Sequence, residues 1–213
     1  MRLYYRPGSA RPVRVAWLLE EIGAPYELIS VSAEQAREPE HLARHPLGRV
    51  PILETDDEML FESTAICLYL ADQHPEAGLI GPVGSHDRAR VYQWALFAMT
   101  EIEPPIVEFA WHSQGDPERA ASGADRFRAG AAVIERTLER REFLVDERLT
   151  VADIVTGAVL AGATRRKLLP HADLPCVSAY VDRLIARPAL VRAAAATESN
   201  LTELTQRRAP AGE

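Results

Sequence analysis

Four residues in the first third of the chain have types and spacing suited to chemistry: Val50, Pro51, Glu62 and Ser63. Val50 precedes a proline at the mouth of a short apolar run, Ile52-Leu53, so it is pushed into an extended conformation. Its backbone N–H and C=O are then left to pair outward, and an extended ligand can add itself there as a strand. If the Val50–Pro51 bond is cis, that edge is held in one shape. Glu62-Ser63 sits where a helix should open, and unpaired amides together with the positive end of the dipole favour a carboxylate there. Ser63 can cap that helix and Glu62 can hold an amine. The set reads as a site for a small peptide carrying both charges.

The elements that must position these residues follow from periodicity. A strand near Leu3–Tyr5, an amphipathic helix from about Pro12 to Ile22 and a strand near Tyr26–Val31 make a βαβ start. A helix around Ala33–Arg44 leads to the proline turn. Two short strands follow, near Ile52–Leu53 and Met59–Phe61 around the acidic turn Asp56-Asp57-Glu58, and then a helix from Ser63 to about Asp72. The order βαβαββα resembles a thioredoxin-like α/β domain over residues 1–78. Turn formers crowd residues 74–85, which reads as a linker. Residues 86–213 are alanine- and arginine-rich with helical period and predict an all-α bundle, broken at Pro104-Pro105, Gly115-Asp116-Pro117 and Leu169-Pro170. Thr150-Val151-Ala152-Asp153 has capping-box form with Leu149 as a staple, and loss of that cap at Asp153 should cost about 1–2 kcal/mol. The run from Val91 to Met99 has too few polar positions for a helix with one wet face, so at least two faces should be buried.

Composition narrows the function. With 213 residues, 47% of them apolar, the chain can fill a sizeable core, and a net charge of −7 with no basic groove disfavours nucleic acid. The basic clusters Arg165-Arg166-Lys167 and Arg136, Arg140, Arg141 read as solvated helix ends. No signal core or membrane-length apolar run is present, so a cytoplasmic address and no membrane partner are expected. Cys67 and Cys176 are far apart and read as reduced core residues. His41 and His45 have i, i+4 spacing without the acidic partner of an HExxH motif, so no metal is expected.

The ordered set of Gly48-Arg49-Val50-Pro51, a short strand, an acidic hairpin, another strand and Glu62-Ser63 before a helix resembles the glutathione-binding half of the cytosolic glutathione transferases. The resemblance covers nearly the whole chain. It implies that Arg49 pairs with the glycine-end carboxylate of glutathione, that Val50 beside Pro51 hydrogen-bonds the cysteinyl unit, and that Glu62 and Ser63 take the γ-glutamyl amine and carboxylate. It implies a homodimer, with Glu101 as the nearest candidate for an acid lent to the partner's site.

A stabiliser for the glutathione thiolate should come from the turn Tyr5-Arg6-Pro7-Gly8-Ser9 ahead of the first helix. Ser9 is the natural choice, with Tyr5 as the fallback hydroxyl. Gapless alignment with the zeta-like pattern puts the catalytic serine position at Pro7, two residues before Ser9. The absence of cysteine from residues 1 to 15 argues against the omega- and glutaredoxin-like route, which needs a protein thiolate. A second, small apolar substrate would meet Tyr5, Phe109, Trp111 and His112. The family reading is conjugation of the glutathione thiolate to such an electrophile. Alternatives are a non-catalytic glutathione-binding or protein-interaction module of the same fold, or a glutathione-dependent isomerase, dehalogenase, peroxidase or disulfide reductase.

Overall fold

The computed structural model describes residues 1–170 and 172–206. Strand β1 (Arg2–Tyr5) leads through helix α1 (Arg11–Ile22) to β2 (Glu27–Ser30), which lies parallel to β1. A 3-10 turn (Gln35–Arg37) and the short α2 (Pro39–Arg44) precede β3 (Ile52–Glu54) and β4 (Met59–Phe61), and α3 (Ser63–Gln73) closes the βαβαββα order. The sheet runs β2-β1-β3-β4, with β3 antiparallel to β1 and to β4. Its register sets Leu3 opposite Leu53 and Tyr4 opposite Ile52.

The single helix expected over Ala33–Arg44 is two pieces. Glu38 stands before Pro39 and takes ψ 146°, the extended conformation imposed on a residue preceding proline, which ends the 3-10 turn and starts α2 afresh.

By packing, the described residues divide into two units: residues 1–78 together with 186–206, and Leu79–Ile185. In the first, α9 (Pro188–Ala196) and α10 (Thr202–Gln206) join the sheet domain. Arg187 on the approach to α9 makes a bidentate ion pair with Glu21 of α1, at 2.6 and 2.8 Å. Cys67 is fully buried in this unit and its thiol is pushed up to about 12 by burial, so it is inert.

The second unit holds α4 (His86–Phe97), α5 (Glu103–His112), α6 (Pro117–Leu138), α7 (Val151–Arg165) and α8 (Pro175–Ile185). Pro104-Pro105 does not break the helical path: a wide π turn over Ala98–Ile102 carries the chain into α5, with proline in the first turn, where a missing N–H costs nothing. Helix α4 buries Val91, Trp94 and Ala95 in its unit, while Leu96 stays 59% and Tyr92 38% exposed. Cys176 is half-buried, not in the core, at the start of α8, where its amide and that of Val177 donate to the Glu135 carboxylate. No described helix is long and apolar enough to cross a membrane.

Helix α7 is buried along nearly its whole length and starts with the capping box at Thr150. The Asp153 carboxylate accepts from the Thr150 amide (2.8 Å) and hydroxyl (2.9 Å), and also from the Leu144 amide and the Tyr180 hydroxyl, both at 2.9 Å. Asp153→Ala orphans all four donors in the core. It should therefore destabilise the protein by about 3 kcal/mol or more, beyond the roughly 1–2 of a lost cap. Urea unfolding followed by circular dichroism measures this, and a cost below about 1 kcal/mol would refute the network role.

Candidate functional site

The Gly48–Pro51 turn is built from two histidines and a glycine. Gly48 has φ +60°, and a Cβ there would stand 2.3 Å from the Ala36 carbonyl oxygen, so no side chain fits. His41, 3% exposed, donates from Nε2 to the Arg49 carbonyl at 3.1 Å. His45, 5% exposed, accepts the Leu47 amide on Nδ1 at 3.1 Å and packs its ring 4.9 Å from that of Phe61. These contacts hold the backbone on either side of Val50, and the Val50–Pro51 peptide is cis. Among the described residues, the Val50 N–H and C=O have no partner, and neither does the exposed Arg49 guanidinium.

Across β3 and β4, the start of α3 differs from expectation in one respect. The capping position is occupied by Glu62, at φ 69° and ψ 104°, and Ser63 is the first helical residue. Ser63 is buried and its Oγ accepts from Nη1 of the buried Arg14 at 3.3 Å. The α3 N-terminus thus has no side-chain cap, its first amides stay available to an anion, and the Arg14 charge lies beneath them. Glu62, exposed and in a left-handed conformation that non-glycine residues adopt at a cost, turns its side chain away from a capping role.

Ser9 is half-buried in the turn before α1, and Ala10 occupies the capping position with no side-chain cap. Ser9 is therefore not a helix cap. Its main chain is held instead: its amide donates to the Arg6 carbonyl, its carbonyl accepts from the Ser199 hydroxyl at 3.4 Å, and the neighbouring Gly8 amide donates to the Glu198 carbonyl at 2.8 Å. The Ser9 hydroxyl has no partner among the described residues. Tyr5, 7% exposed, commits its hydroxyl to Glu198 at 3.4 Å, and burial followed by the Glu198 charge raises its pKa. The tyrosine hydroxyl is thus spent in the floor of the turn, while the serine hydroxyl is not.

Helix α5 places Phe109 and His112 on one side, both half-buried, and Trp111 on the opposite side, 80% exposed. One slot does not gather all three. Among the described residues no group of His, Cys, Asp or Glu is arranged to hold a metal. Sequence reading missed Arg14, His41, His45, Glu198 and Ser199. Arg14 carried a signal as an arginine inside the apolar run Val13–Leu19, and His41 and His45 carried one in their i, i+4 spacing, which is read above only for a metal.

What this arrangement offers chemically is an unpaired amide and carbonyl at Val50, ahead of β3, for an extended peptide, a cation beside it, uncapped helix amides for a carboxylate, and a hydroxyl near a helix start. Family models of the glutathione S-transferase N-terminal and C-terminal domains match residues 1–72 and 97–188. Glutathione S-transferase 4 of Zea mays is 35% identical over 189 residues, 83% of each chain. Among solved structures, the ternary complex of BphK, a bacterial glutathione S-transferase, superposes with a TM-score of 0.83 at 28% identity, covering 92% of this chain and 99% of its own. A sphingomonad glutathione S-transferase complexed with glutathione gives 0.81 at 29% identity, over 92% and 98%.

The His45 imidazole accepts the Leu47 amide only when neutral. Burial lowers its pKa below the ordinary 6.5, with the Arg49 and His41 charges adding to that and the Glu62 charge opposing it. A depressed histidine stabilises the fold above its unfolded pKa, and that contribution is lost as pH falls through the lower folded value. The melting temperature should therefore drop as pH falls below about 6.5, and His45→Asn, which keeps an acceptor for Leu47 but does not titrate, should show a shallower acid limb. Superimposable profiles from pH 8 to 5, read by scanning fluorimetry, would remove His45 from this role.

Proposed function

The chain belongs to the glutathione S-transferase family, and on that premise we propose that it conjugates the thiolate of glutathione to a small apolar electrophile, with Ser9 stabilising the sulfur. The tripeptide lies antiparallel along Val50, its cysteinyl unit paired with the main chain beside cis-Pro51. Arg49 binds the glycine-end carboxylate. The γ-glutamyl carboxylate sits on the uncapped amides of α3 and Ser63, above Arg14, and Glu62 takes the amine.

The observation that carries this reading is the Ser9 hydroxyl, which has no partner among the described residues and stands before the uncapped start of α1. A hydrogen bond to a charged sulfur contributes about 1.5–3 kcal/mol and a helix N-terminus about 0.3–1, against 1.36 kcal/mol per pKa unit. Together they can lower the free thiol pKa, near 8.5, by about one to two units. The thiol proton passes to solvent, the thiolate forms the C–S bond, and the leaving group departs with its electron pair. The Phe109–His112 side of α5 is the apolar surface we assign to the electrophile. Exposed Leu96 and Tyr92 on α4 favour a second copy of the chain as partner, with Glu101, exposed in the π turn, as the acid it lends.

Ser9→Ala should lower kcat/KM about 10–100-fold in a glutathione conjugation assay with a chromogenic electrophile, and an unchanged value would remove Ser9 from the mechanism. Arg49→Ala should weaken glutathione binding by about 1.5–3 kcal/mol in calorimetry, and unchanged affinity would reject this placement of the tripeptide.

A further inference from the structure

The basic cluster at the end of α6, whose arginines are exposed, lines a concavity. Arg136, Arg140 and Arg141 meet Arg90 of α4 around a concavity of about 520 Å³ in the second unit, with Trp94 and Thr137 in its lining and Glu139 as its one acid. In a chain of net charge −7, four arginines against one glutamate reverse the sign locally.

The ordinary explanation for arginines at a helix C-terminus is that they complement the dipole or bond the last carbonyls. None of Arg136, Arg140 and Arg141 makes a side-chain hydrogen bond or ion pair among the described residues. The adjacent acid Glu135 is withdrawn from them, because its two oxygens accept the Cys176 and Val177 amides at 2.9 and 2.8 Å. Glu139 forms no ion pair among the described residues, and Arg90 reaches only Asp87, at 3.5 Å. Guanidinium groups gathered within a Debye length of about 8 Å repel one another, and a multiply charged anion relieves that repulsion. Planar guanidinium forks suit oxyanions in particular, because each presents two parallel N–H donors.

We propose that this concavity is a binding site for a compact, multiply charged oxyanion, one bearing adjacent phosphoryl groups or several carboxylates. Three unengaged guanidinium groups call for at least two negative charges, and the volume exceeds that of a single phosphate. The site is separate from the apolar surface of α4. Arg90 and Trp94 lie roughly 120–160° around the helix axis from Tyr92 and Leu96, with Gln93 between the two sides, so a second copy resting on the apolar side does not thereby fill the basic one.

Isothermal titration of the full chain with inorganic pyrophosphate, and separately with the tricarboxylate tricarballylate, tests it and separates the two sources of charge. The expected result is saturable binding of at least one probe, one per chain, weakening steeply between about 50 and about 150 mM salt. Arg136→Gln and Arg140→Gln should each weaken it about tenfold, and Arg140→Lys less. Arg49→Ala and saturating glutathione should leave it unchanged. Unaltered melting temperatures of the glutamine variants exclude unfolding as the cause. No saturable binding of either probe would overturn the proposal. So would binding lost with Arg49→Ala but kept in both glutamine variants, or loss accompanied by a change in sedimentation that marks the concavity as an interface between copies.

Discussion

The hydrogen bond from His41 Nε2 to the Arg49 carbonyl is the contact that fixes the backbone on which the proposed peptide site depends. A strand edge that is to receive a ligand must leave its own amide and carbonyl unpaired, which costs free energy and invites collapse. The chain meets that requirement by fixing the residues on both sides of Val50. His41 holds the carbonyl before it, Gly48 lies too close to Ala36 for any side chain, and cis-Pro51 follows it directly. Both histidines come from the α2 end of the domain, so a helix of six residues serves mainly to deliver them.

The same logic holds at the other two corners of the site. Ser63 is oriented by Arg14 from beneath, and Gly8 and Ser9 are clamped through their backbone by Glu198 and Ser199, nearly two hundred residues away in sequence. At Gly8 and Ser9 the supporting bonds go to main-chain atoms and leave the Ser9 hydroxyl open, whereas at Ser63 Arg14 donates to the hydroxyl oxygen itself and leaves the first amides of α3 open. Preorganisation of this kind would let the binding energy of the proposed glutathione complex go into orienting the sulfur instead of ordering the protein.

Much of this was legible in sequence, because local rules decide it. The proline turn, the βαβαββα order and the Thr150–Asp153 capping box each follow from a few adjacent residues. Where several residues compete or the partner is remote, sequence was mute. The restriction that Pro39 places on Glu38 outweighs the helical period of residues 33–44. The π turn before Pro104 lies close against Gly130 of α6, where a Cβ would stand 2.7 Å from the Ile102 side chain, a neighbour remote in sequence. That Glu62, not Ser63, stands at the capping position shows only in the backbone, where Glu62 takes φ 69° and ψ 104° directly after β4. The return of residues 186–206 to the first unit comes from packing of α9 on α1, with Leu190, Ala193 and Ala194 buried and the Arg187–Glu21 pair beside them, partners that nothing in the sequence links. Trp111 looked like a pocket residue by type, and only the helix phase shows it on the side away from Phe109.

The central claim, that the turn at Ser9 ionises the sulfur of a tripeptide held along Val50, is tested most directly by the ultraviolet difference spectrum of bound glutathione across neutral pH. A thiolate band titrating one to two units below the free thiol, near 8.5, is the predicted result. Saturable binding with no such band until the pH approaches that of the free thiol would contradict it, and would mark the protein as one that holds glutathione without activating it.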